Sequence, residues 1–451
     1  MSDTICAIST SLGVGAVSMI RVSGKEAISI VSKLFNGDDL NNVDTHTIHY
    51  GFIVDNNKKI DEVLVTVMKA PKTFTREDVV EINCHGGIAT TNKVLELLLL
   101  NGCRQAEPGE FTKRAFLNGR IDLMEAEAVA DLINGKTEEA RRVAISQMQG
   151  SGSKLISKLR EDLVGLISNI EVNIDYPEYQ DIYEVTVKDI KDKINYFHDS
   201  LTNIINNYEN GRILTDGIKT VIVGRPNVGK SSILNTLLDE EKAIVTNIPG
   251  TTRDIVEGSI TLEGVQVNFI DTAGIRDTSD IVEKIGVDKS KKTAENSDLI
   301  VLVLNNNEEL SDEEKELIEK YKSDNLIILI NKTDLDQKLE LPKEYKEYVI
   351  YGNTINLNGL DELKKTIEMK FMLDTIVNKD MSYLSNVRQI DLVNKANESI
   401  KSAKKSADDN LPVDMIEIDL KKAWEYLGEI IGDSYQDELV DSIFQNFCLG
   451  K

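Results

Sequence analysis

Residues 220–232 restrict the fold more than any other part of the chain. A β-branched run from Val221 to Val223 meets Gly224, and after four more residues Gly229-Lys230-Ser231 opens an apolar-periodic stretch. This spacing predicts a strand, a phosphate-binding loop and a helix. Glycines let the backbone turn its N–H groups toward phosphate oxygens, and the helix adds its positive N-terminal end. Lys230 is expected to reach the β- and γ-phosphates and Ser231 to offer a hydroxyl to Mg²⁺.

Three further motifs follow in the order that a guanine-nucleotide switch requires. Thr252 is predicted to close over the γ-phosphate and to give Mg²⁺ a second hydroxyl, while Asp271 supports the Mg²⁺ shell and the Gly274 N–H senses the γ-phosphate. Asp334 can accept two hydrogen bonds from guanine that adenine cannot donate, so it selects GTP. The predicted GTP-binding residues are Asn227, Val228, Gly229, Lys230, Ser231, Ser232, Thr246, Asn247, Ile248, Pro249, Gly250, Thr251, Thr252, Asp271, Thr272, Ala273, Gly274, Asn331, Lys332, Thr333 and Asp334.

Composition limits the partners and the compartment. The 451 residues include 52 basic and 76 acidic side chains, for a formal net charge of −24. Such a surface argues against wrapping nucleic acid by bulk electrostatics. The four cysteines have neither disulfide-like nor zinc-like spacing, which indicates a reducing, cytoplasmic setting. The N-terminus does not have the pattern of a signal peptide, and no apolar run is long enough for a transmembrane helix.

Hydrophobic periodicity predicts several domains. Residues 1–118 alternate strand-like runs (5–9, 16–22, 46–54, 61–68 and 79–83) with helices at 24–35 and 90–100, an α+β pattern. Helical spacing then dominates, with one apolar stripe running from Leu123 to Ala140, and it resumes after a nucleotide-binding segment. The glycine-containing stretch 211–217 is interpreted as the link into that segment. We therefore predict an N-terminal domain (1–118), a discontinuous helical domain (119–214 and 374–451) and an inserted α/β Ras-like G domain (215–373).

Two polar features leave alternatives open. His85 ends a strand at a Cys-His-Gly-Gly turn, where a capping or core histidine is the expected role. The chain ends in Cys448-Leu449-Gly450-Lys451, which from composition alone is either an ordinary frayed end or a tail with a reactive thiol that enters a pocket.

Taken together, these motifs resemble the MnmE (TrmE) family of GTPases that modify the wobble uridine of tRNA. The resemblance covers essentially the whole chain. It rests on Asp3-Thr4-Ile5, Arg21-Val22-Ser23-Gly24, the segment from Phe74 to Gly87, Pro108-Gly109-Glu110-Phe111, the GTPase motifs and the terminal Cys-x-Gly-Lys. It implies a folate-binding and dimerising N-terminal domain, a discontinuous helical domain and a Ras-like G domain.

The resemblance also implies a catalytic mechanism. Two G domains are expected to meet across a K⁺ ion that neutralises charge between the β- and γ-phosphates. The matching K⁺ ligands are Asn227, Thr246, Ile248 and Thr251, and the Mg²⁺ ligands are Ser231 and Thr252. No glutamine directly follows Asp271-Thr272-Ala273-Gly274, and Glu283 matches the residue that orients the attacking water, so Glu283 and Thr252 are the predicted catalytic residues of hydrolysis.

For the modification chemistry, the matching folate-binding residues are Arg21, Glu81, Arg120 and Lys451. The implied cofactor is a tetrahydrofolate derivative, 5-formyl or 5,10-methylene, in addition to GTP, Mg²⁺ and K⁺. The implied partners are a second copy of the chain, the FAD-carrying flavoprotein MnmG (GidA), and tRNA held mainly by that flavoprotein. Cys448 is a candidate catalytic residue whose role is either chemical or purely positional.

One motif departs from the family, and two other functions stay open. The usual Ser-Ala-Lys base-contacting motif is replaced by Tyr351-Gly352-Asn353-Thr354-Ile355-Asn356, which leaves the contacts to the guanine O6 undefined. The alternatives are an RNA-binding ribosome-assembly or signalling GTPase without modification chemistry, and a nucleotide-gated scaffold. The folate-like N-terminal domain and the Cys448 tail discriminate against the first, and Glu283 with Thr252 favours hydrolysis over the second.

Overall fold

The computed structural model describes residues 3–175, 187–240, 256–270, 297–322, 325–342, 344–345, 349–353, 359–377, 384–434, 437–445 and 447–450. The chain divides into two compact units. The first comprises Met1–Ala130, Gln147–Leu201 and Asp391–Lys451, and the second comprises Asp131–Ser146 and Thr202–Ile390. Helical segments on both sides of the nucleotide-binding segment thus belong to one unit, as a discontinuous domain requires. The predicted domain boundaries themselves stay predictions.

The first unit contains a seven-stranded sheet. Its strands are β1 (Ile5–Ile8), β2 (Val17–Ser23), β3 (Phe35–Asn36), β4 (Thr47–Asp55), β5 (Lys58–Met68), β6 (Val79–His85) and β7 (Arg104–Gln105), in the order β3-β4-β5-β6-β2-β1-β7. All neighbours are antiparallel except β1 and β7. The five predicted strands are confirmed. The edge strands β3 and β7 were not predicted, because two residues are too few to show alternation.

Buried and partly exposed side chains alternate along β2 and β6, so the two faces of the sheet differ. Ile20, Val22, Val80 and Ile82 are fully buried, together with apolar residues of α1 (Ala27–Leu34) and α2 (Ile88–Leu100). The residues between them, including Arg21 and Glu81, point to the opposite, accessible face. Helices α1 and α2 therefore cover one side of the sheet. On the other side Ile5 and Ala7 of β1 are buried against Phe111, whereas Arg21 and Glu81 stay partly exposed.

The other helices of the first unit bury apolar stripes of the predicted spacing. They are α3 (Glu110–Leu117), α4 (Leu123–Asn134), α6 (Ser151–Asp175), the first half of α7 (Val187–Asp216), α12 (Val387–Asp408), α13 (Val413–Ile431) and α14 (Asp437–Phe444). Four α7 side chains of this unit, spaced by three or four residues, are each at most 1% exposed: Ile190, Ile194, Phe197 and Leu201. The same spacing continues through the buried Ile204 and Tyr208 of the second unit. Helix α3 was not predicted, since its mean polarity hides its buried face.

The second unit is built on a six-stranded sheet. Its strands are β8 (Ile218–Val223), β9 (Val256–Leu262), β10 (Val265–Ile270), β11 (Leu299–Asn305), β12 (Leu326–Asn331) and β13 (Val349–Tyr351), in the order β13-β12-β11-β8-β10-β9. Only the β9–β10 pair is antiparallel. Helices α8 (Lys230–Glu240), α9 (Asp312–Tyr321), α10 (Leu360–Lys370) and α11 (Leu373–Val377) complete the predicted α/β G domain. Strands β11 and β12 are buried along their whole length, as expected for parallel strands in a sheet covered on both faces.

One prediction about the helices is wrong, and one predicted link has a helical form that was not foreseen. The stripe from Leu123 to Ala140 is interrupted after Asn134, because Gly135 breaks the helix and the Thr137 hydroxyl accepts from the Ala140 N–H at the start of α5 (Glu138–Met148). The predicted link at 211–217 is helical, because α7 continues through it to Asp216 and ends before Gly217, whose φ is +79°. Burial of Ile213 and Leu214 in the core of the second unit overrides the weak helix propensity of Gly211.

None of the helices in the described residues is both long enough and apolar enough to cross a membrane.

Candidate nucleotide site and C-terminal tail site

The nucleotide site begins with a tight loop between β8 and α8. Gly224 has a φ of +150° and Gly229 a φ of +100°. A Cβ on Gly224 would lie 2.5 Å from the Val303 carbonyl oxygen, and one on Gly229 would lie 2.3 Å from Asn331 Nδ2. Both positions therefore require glycine on two counts, backbone conformation and close approach. The loop has the geometry that the P-loop spacing predicts.

Lys230 begins α8 and bends back over this loop. Its Nζ donates hydrogen bonds of 2.7 Å to the carbonyl oxygens of Gly224 and Arg225. Burial lowers the pKa of the Lys230 ammonium below its ordinary value. The next residue, Ser231, lies in the first turn of α8. A cation and a hydroxyl are thus held at a helix N-terminus, where backbone N–H groups favour a phosphate.

The Asn-Lys-Thr-Asp motif lies at the end of β12 and is tied to the P-loop. Asn331 Nδ2 donates to the Val228 carbonyl oxygen at 2.8 Å, and Lys332 Nζ donates to the Asn227 carbonyl oxygen at 2.9 Å. These contacts make Asn331 and Lys332 supports of the phosphate loop, a role that the motif spacing alone does not reveal. Asp334, the predicted guanine-selecting residue, is exposed.

The replaced fifth motif lies beside the base-binding motif. The Thr333 hydroxyl donates to the Gly352 carbonyl oxygen at 3.1 Å, and the Gly352 N–H donates to the Ile330 carbonyl oxygen at 2.8 Å. Residues 351–353 therefore lie beside the Asn-Lys-Thr-Asp motif, where the usual Ser-Ala-Lys motif is expected, although their sequence differs from it.

Several predicted nucleotide-site residues lie outside the described part of the chain. They are Thr246, Asn247, Ile248, Pro249, Gly250, Thr251, Thr252, Asp271, Thr272, Ala273, Gly274 and Glu283. Their roles stay predictions. Strand β9 follows the first of these groups in the chain and β10 precedes the second.

A second candidate site lies on the accessible face of the first unit's sheet. Arg21 and Glu81 are paired across β2 and β6, and the Arg21 Nε and Nη2 each lie 2.9 Å from Glu81 Oε1. The same cross-strand row continues through Thr66 on β5 to Ile48 on β4, whose side chain is 66% exposed. Cross-strand partners share a face of the sheet, so this ion pair adjoins exposed apolar surface.

The C-terminal tail docks at this ion pair. The Gly450 carbonyl oxygen accepts from Arg21 Nη1 at 3.3 Å and from the Ser9 hydroxyl at 3.2 Å. Gly450 has a φ of +87°, and a Cβ there would lie 2.6 Å from the Ile8 carbonyl oxygen. The Gly109 N–H donates to the Cys448 carbonyl oxygen at 3.3 Å. The tail through Gly450 is therefore not an ordinary frayed end, whereas Lys451 lies outside the described residues.

An aromatic anchor precedes the docked tail. Phe444 and Phe447 have ring centroids 5.1 Å apart, and both belong to a buried cluster with Phe116 and Leu123. This anchor leaves Cys448 exposed, whereas Cys6, Cys84 and Cys103 are buried. The sequence could not show which cysteine is accessible, because that depends on the packing of the last helix.

Arg120, the third predicted folate-binding residue, contacts Phe74. Its guanidinium carbon is 4.7 Å from the Phe74 ring centroid, and its Nη1 donates to the Phe74 carbonyl oxygen at 3.2 Å. Phe74 packs against a cluster that includes Phe111, and the guanidinium carbon of Arg21 is 5.7 Å from the Phe111 ring centroid. Arg21 and Arg120 thus contact the same apolar cluster, Arg21 through Phe111 and Arg120 through Phe74.

The expected role of His85 as a capping or core residue is wrong. Its side chain is 69% exposed, and its Nδ1 lies 2.7 Å from Asp61 Oδ1. The His85 backbone N–H also donates to Asp61 Oδ2 at 2.8 Å. Hydrogen bonding to the Asp61 carboxylate raises the pKa of His85 above its ordinary value. His85 is instead an exposed residue at the end of β6 that pairs with the nearly buried carboxylate of Asp61.

A mostly parallel sheet, a P-loop after β8 and an Asn-Lys-Thr-Asp motif after β12 define a P-loop GTPase of the Ras-like class. Comparison with known proteins is more specific. The sequence model described as the MnmE helical domain matches residues 123–448, and that of the GTP-binding protein TrmE N-terminus matches residues 4–120. The chain belongs to the MnmE family of tRNA modification GTPases.

Relatives named tRNA modification GTPase MnmE match the whole chain. That of Streptococcus thermophilus is 52% identical over 100% of this chain and 98% of its own length. That of Bacillus cytotoxicus is 50% identical over 100% of this chain and 99% of its own length. Among solved structures, the G domain of the T. maritima FeoB iron transporter is 29% identical over 34% of this chain and 98% of its own, with a TM-score of 0.26. So low a score adds nothing to the family assignment.

Proposed function

We propose that this GTPase is stimulated by K⁺ and acts with the FAD-dependent flavoprotein MnmG. Together they would add an aminomethyl or carboxymethylaminomethyl group to C5 of the wobble uridine in tRNA. The one-carbon unit would come from a bound 5-formyl or 5,10-methylene tetrahydrofolate. Family membership supports the GTPase and tRNA-modification parts, and the two sites described above support the finer ones.

In the nucleotide half of the proposal, GTP lies over the P-loop with its phosphates near Lys230 and its base near Asp334. Ser231 and Thr252 would hold Mg²⁺, and Asp271 its surrounding shell. Asn227, with Thr246, Ile248 and Thr251, would hold K⁺. Asn227 suits this role because it is exposed, has a φ of +62°, and offers a carboxamide oxygen that accepts from no donor in the described chain. Glu283 would orient the attacking water.

In the folate half, Arg21, Glu81, Arg120 and Lys451 would hold the cofactor. The donor set fits such a ligand. The contacts between Arg21 and Glu81 fall on Oε1, so Oε2 is left to accept from the amino-pyrimidinone edge of a pterin. Arg21 and Arg120 offer guanidinium N–H groups to the carboxylates of a glutamate moiety. Cys448 precedes by two residues the Gly450 carbonyl that contacts Arg21, and it would either position the tail or take part in the chemistry.

The proposed partners follow from the surfaces. Ile48, Tyr50 and Leu64 are 66%, 60% and 48% exposed and lie next to the Arg21–Glu81 row, which supports a homodimer formed through this face of the sheet. The net charge of −24 supports tRNA binding mainly through the flavoprotein. We also propose a cytoplasmic location, consistent with three buried, unpaired cysteines.

The observation that carries the K⁺ proposal is Asn227, which stands on the P-loop at a positive φ with its side chain accessible. The test is GTP hydrolysis in K⁺ and in Na⁺ at equal ionic strength. We expect fast turnover in K⁺ and slow turnover in Na⁺. The variant Asn227→Gly keeps the φ of +62° accessible and removes only the carboxamide, so it is expected to lose the K⁺ stimulation while still binding GTP. Equal rates of the unmodified protein in both ions would refute the K⁺ mechanism.

A further inference from the structure

Two short segments of the N-terminal domain are joined by reciprocal hydrogen bonds. Arg76 Nη1 donates to the Asn118 carbonyl oxygen at 2.9 Å, and Asn118 Nδ2 donates to the Thr75 carbonyl oxygen at 2.6 Å. Arg120 Nη1 donates to the Phe74 carbonyl oxygen at 3.2 Å. Each guanidinium therefore uses one N–H group to fix its position and retains others. Arg76 and Arg120 are referred to below as the arginine pair.

Neither member of the arginine pair has a carboxylate within ion-pair distance in the described part of the chain, and both residues are exposed. Glu125 acts on Arg120 only through its charge at longer range. Other arginines of the same unit differ, since Arg21, Arg104 and Arg114 each contact at least one carboxylate. In a chain with a net charge of −24, two neighbouring arginines without such partners form a local site for an anion.

The backbone at Arg76 supports a specific role. Arg76 has a φ of +59°, a conformation that glycine or asparagine adopts at less cost than arginine. Its guanidinium lies beside the second segment, since Nη1 is 3.6 Å from the position of a Cβ built on Gly119. Strained backbone positions cluster at ligand sites, so this conformation agrees with a role for the Arg76 guanidinium in binding.

The arginine pair lies beside the proposed folate site. Arg120 stacks on Phe74, and Phe74 packs against the cluster whose Phe111 ring lies near Arg21. A ligand held by Arg21 and Glu81 that extends across this aromatic cluster would reach Arg120. Arg76 lies two residues after Phe74 and contacts Asn118, two residues before Arg120, so an anionic extension of such a ligand would come within reach of its side chain.

We propose that Arg76 extends the folate site into a subsite for the γ-linked glutamate chain of folate polyglutamates. Arg120 serves the first glutamate and Arg76 the carboxylates beyond it. The planar guanidinium suits carboxylates, which it binds through two parallel N–H groups. The inference rests on the proposed folate function, and it adds a preference among folates that differ only in the length of their glutamate chain.

The test compares the binding of 5-formyl-tetrahydrofolate with one and with three glutamates to the full-length protein, by calorimetry at low and high salt. We expect the triglutamate to bind about three- to tenfold more tightly, as exposed carboxylate–guanidinium pairs allow, and this gain to shrink in high salt. Arg76→Gly, which suits the positive φ, should remove the gain. Arg76→Lys, which keeps the positive charge but lacks the two parallel N–H groups of a guanidinium, should retain part of the gain in affinity for the triglutamate.

A matched control removes the same charge elsewhere. Arg141 lies on α5 and is half exposed, so Arg141→Gln should retain the full gain for the triglutamate. Equal affinity of the unmodified protein for the two folates would overturn the subsite and leave the folate function standing. No binding of either form would overturn both. If Arg76→Gly instead weakened tRNA binding and left the triglutamate gain intact, the arginine pair would be a phosphate site for RNA.

Discussion

The docking of the C-terminal tail is open to a direct test at Gly450. Substitution by alanine places a Cβ 2.6 Å from the Ile8 carbonyl oxygen and 2.9 Å from Ser9 Cα. Both contacts are with backbone atoms of the first unit, which cannot move away as the end of a flexible side chain could. We expect the tail of Gly450→Ala to leave its site rather than to compress it.

The size of the effect follows from the backbone strain and the hydrogen bonds at Gly450. An alanine at a φ of +87° costs about 1 kcal/mol relative to glycine. The hydrogen bonds to the Gly450 carbonyl from Arg21 and Ser9 contribute about 1 kcal/mol each. The sum of about 3 kcal/mol lowers the docking equilibrium constant about a hundredfold. A tail that is docked for about 99% of the time would then be docked for about half of it.

The assay uses the accessibility of Cys448. Because the other three cysteines are buried, a thiol-reactive spin label attaches at Cys448, and electron paramagnetic resonance reports the fraction of mobile label. We expect a small mobile fraction in the parent protein and a comparable mobile and immobile population in Gly450→Ala. Ser9→Ala, which removes one hydrogen bond, should give an intermediate spectrum.

Leu449→Ala provides the control, since the Leu449 side chain is 43% exposed and its truncation leaves the Gly450 carbonyl in place. Its spectrum should match that of the parent. If Gly450→Ala also gave the parent spectrum, the close approach of Gly450 to Ile8 and Ser9 would not govern docking, and the reasoning would fail.

Three further predictions concern other parts of the molecule. Gly229→Ala should weaken GTP binding about ten- to a hundredfold, because the new Cβ lies 2.3 Å from Asn331 Nδ2 and breaks the hydrogen bond from Asn331 to Val228. Titration with a fluorescent nucleotide measures the affinity. The control Gly165→Ala, whose Cβ has no atom within 4 Å, should bind GTP normally. Asp334→Asn should lower GTP affinity about a hundredfold and improve binding of xanthosine triphosphate, as competition assays would show; unchanged selectivity would remove Asp334 from base recognition. The raised pKa of His85 should fall toward its ordinary value in Asp61→Asn, measured by NMR titration of the four histidines. The pKa of His85 is higher in the folded than in the unfolded state. The His85–Asp61 pair therefore stabilises the fold fully below the ordinary pKa of histidine, and this stabilisation is lost as pH rises through the raised pKa. Identical His85 pKa values in the parent and in Asp61→Asn would contradict this.

Regular patterns made much of the fold predictable from the sequence. The P-loop glycines, the continuous apolar runs of β11 and β12 and the stripe along α7 each reflect one strong local requirement. The break before α5 was missed because apolar spacing continues across Gly135. The helical course of residues 211–216 was missed because it depends on the burial of Ile213 and Leu214 against strands that come later in the chain.

In the candidate sites, too, local sequence patterns were predictive and long-range contacts were not. Motif spacing predicts Lys230 and Asp334, but not that Asn331 and Lys332 support the P-loop, since that contact joins residues about a hundred positions apart. The pairing of Arg21 with Glu81 depends on strand register, and the place of Gly450 depends on how α14 packs. Such long-range facts leave no periodic trace in the sequence.

The continuity of α7 has a consequence for how the chain tolerates insertions. This helix of 30 residues belongs to the first unit up to Leu201 and to the second from Thr202, and its length is about 45 Å. The Arg212 guanidinium binds both carboxylate oxygens of Asp298, and the Asp216 carbonyl oxygen accepts from Asn268, so the last turns of α7 are fastened to the β-sheet. Inside the second unit, this part of α7 fixes the rotational phase of its side chains. One residue added between Tyr208 and Arg212 would turn the buried Ile213 and Leu214 by about 100° relative to Ile204 and Tyr208, whereas seven would restore the phase to within about 20°. The second unit therefore accommodates a longer α7 here only in steps of whole turns, which a flexible loop would not require.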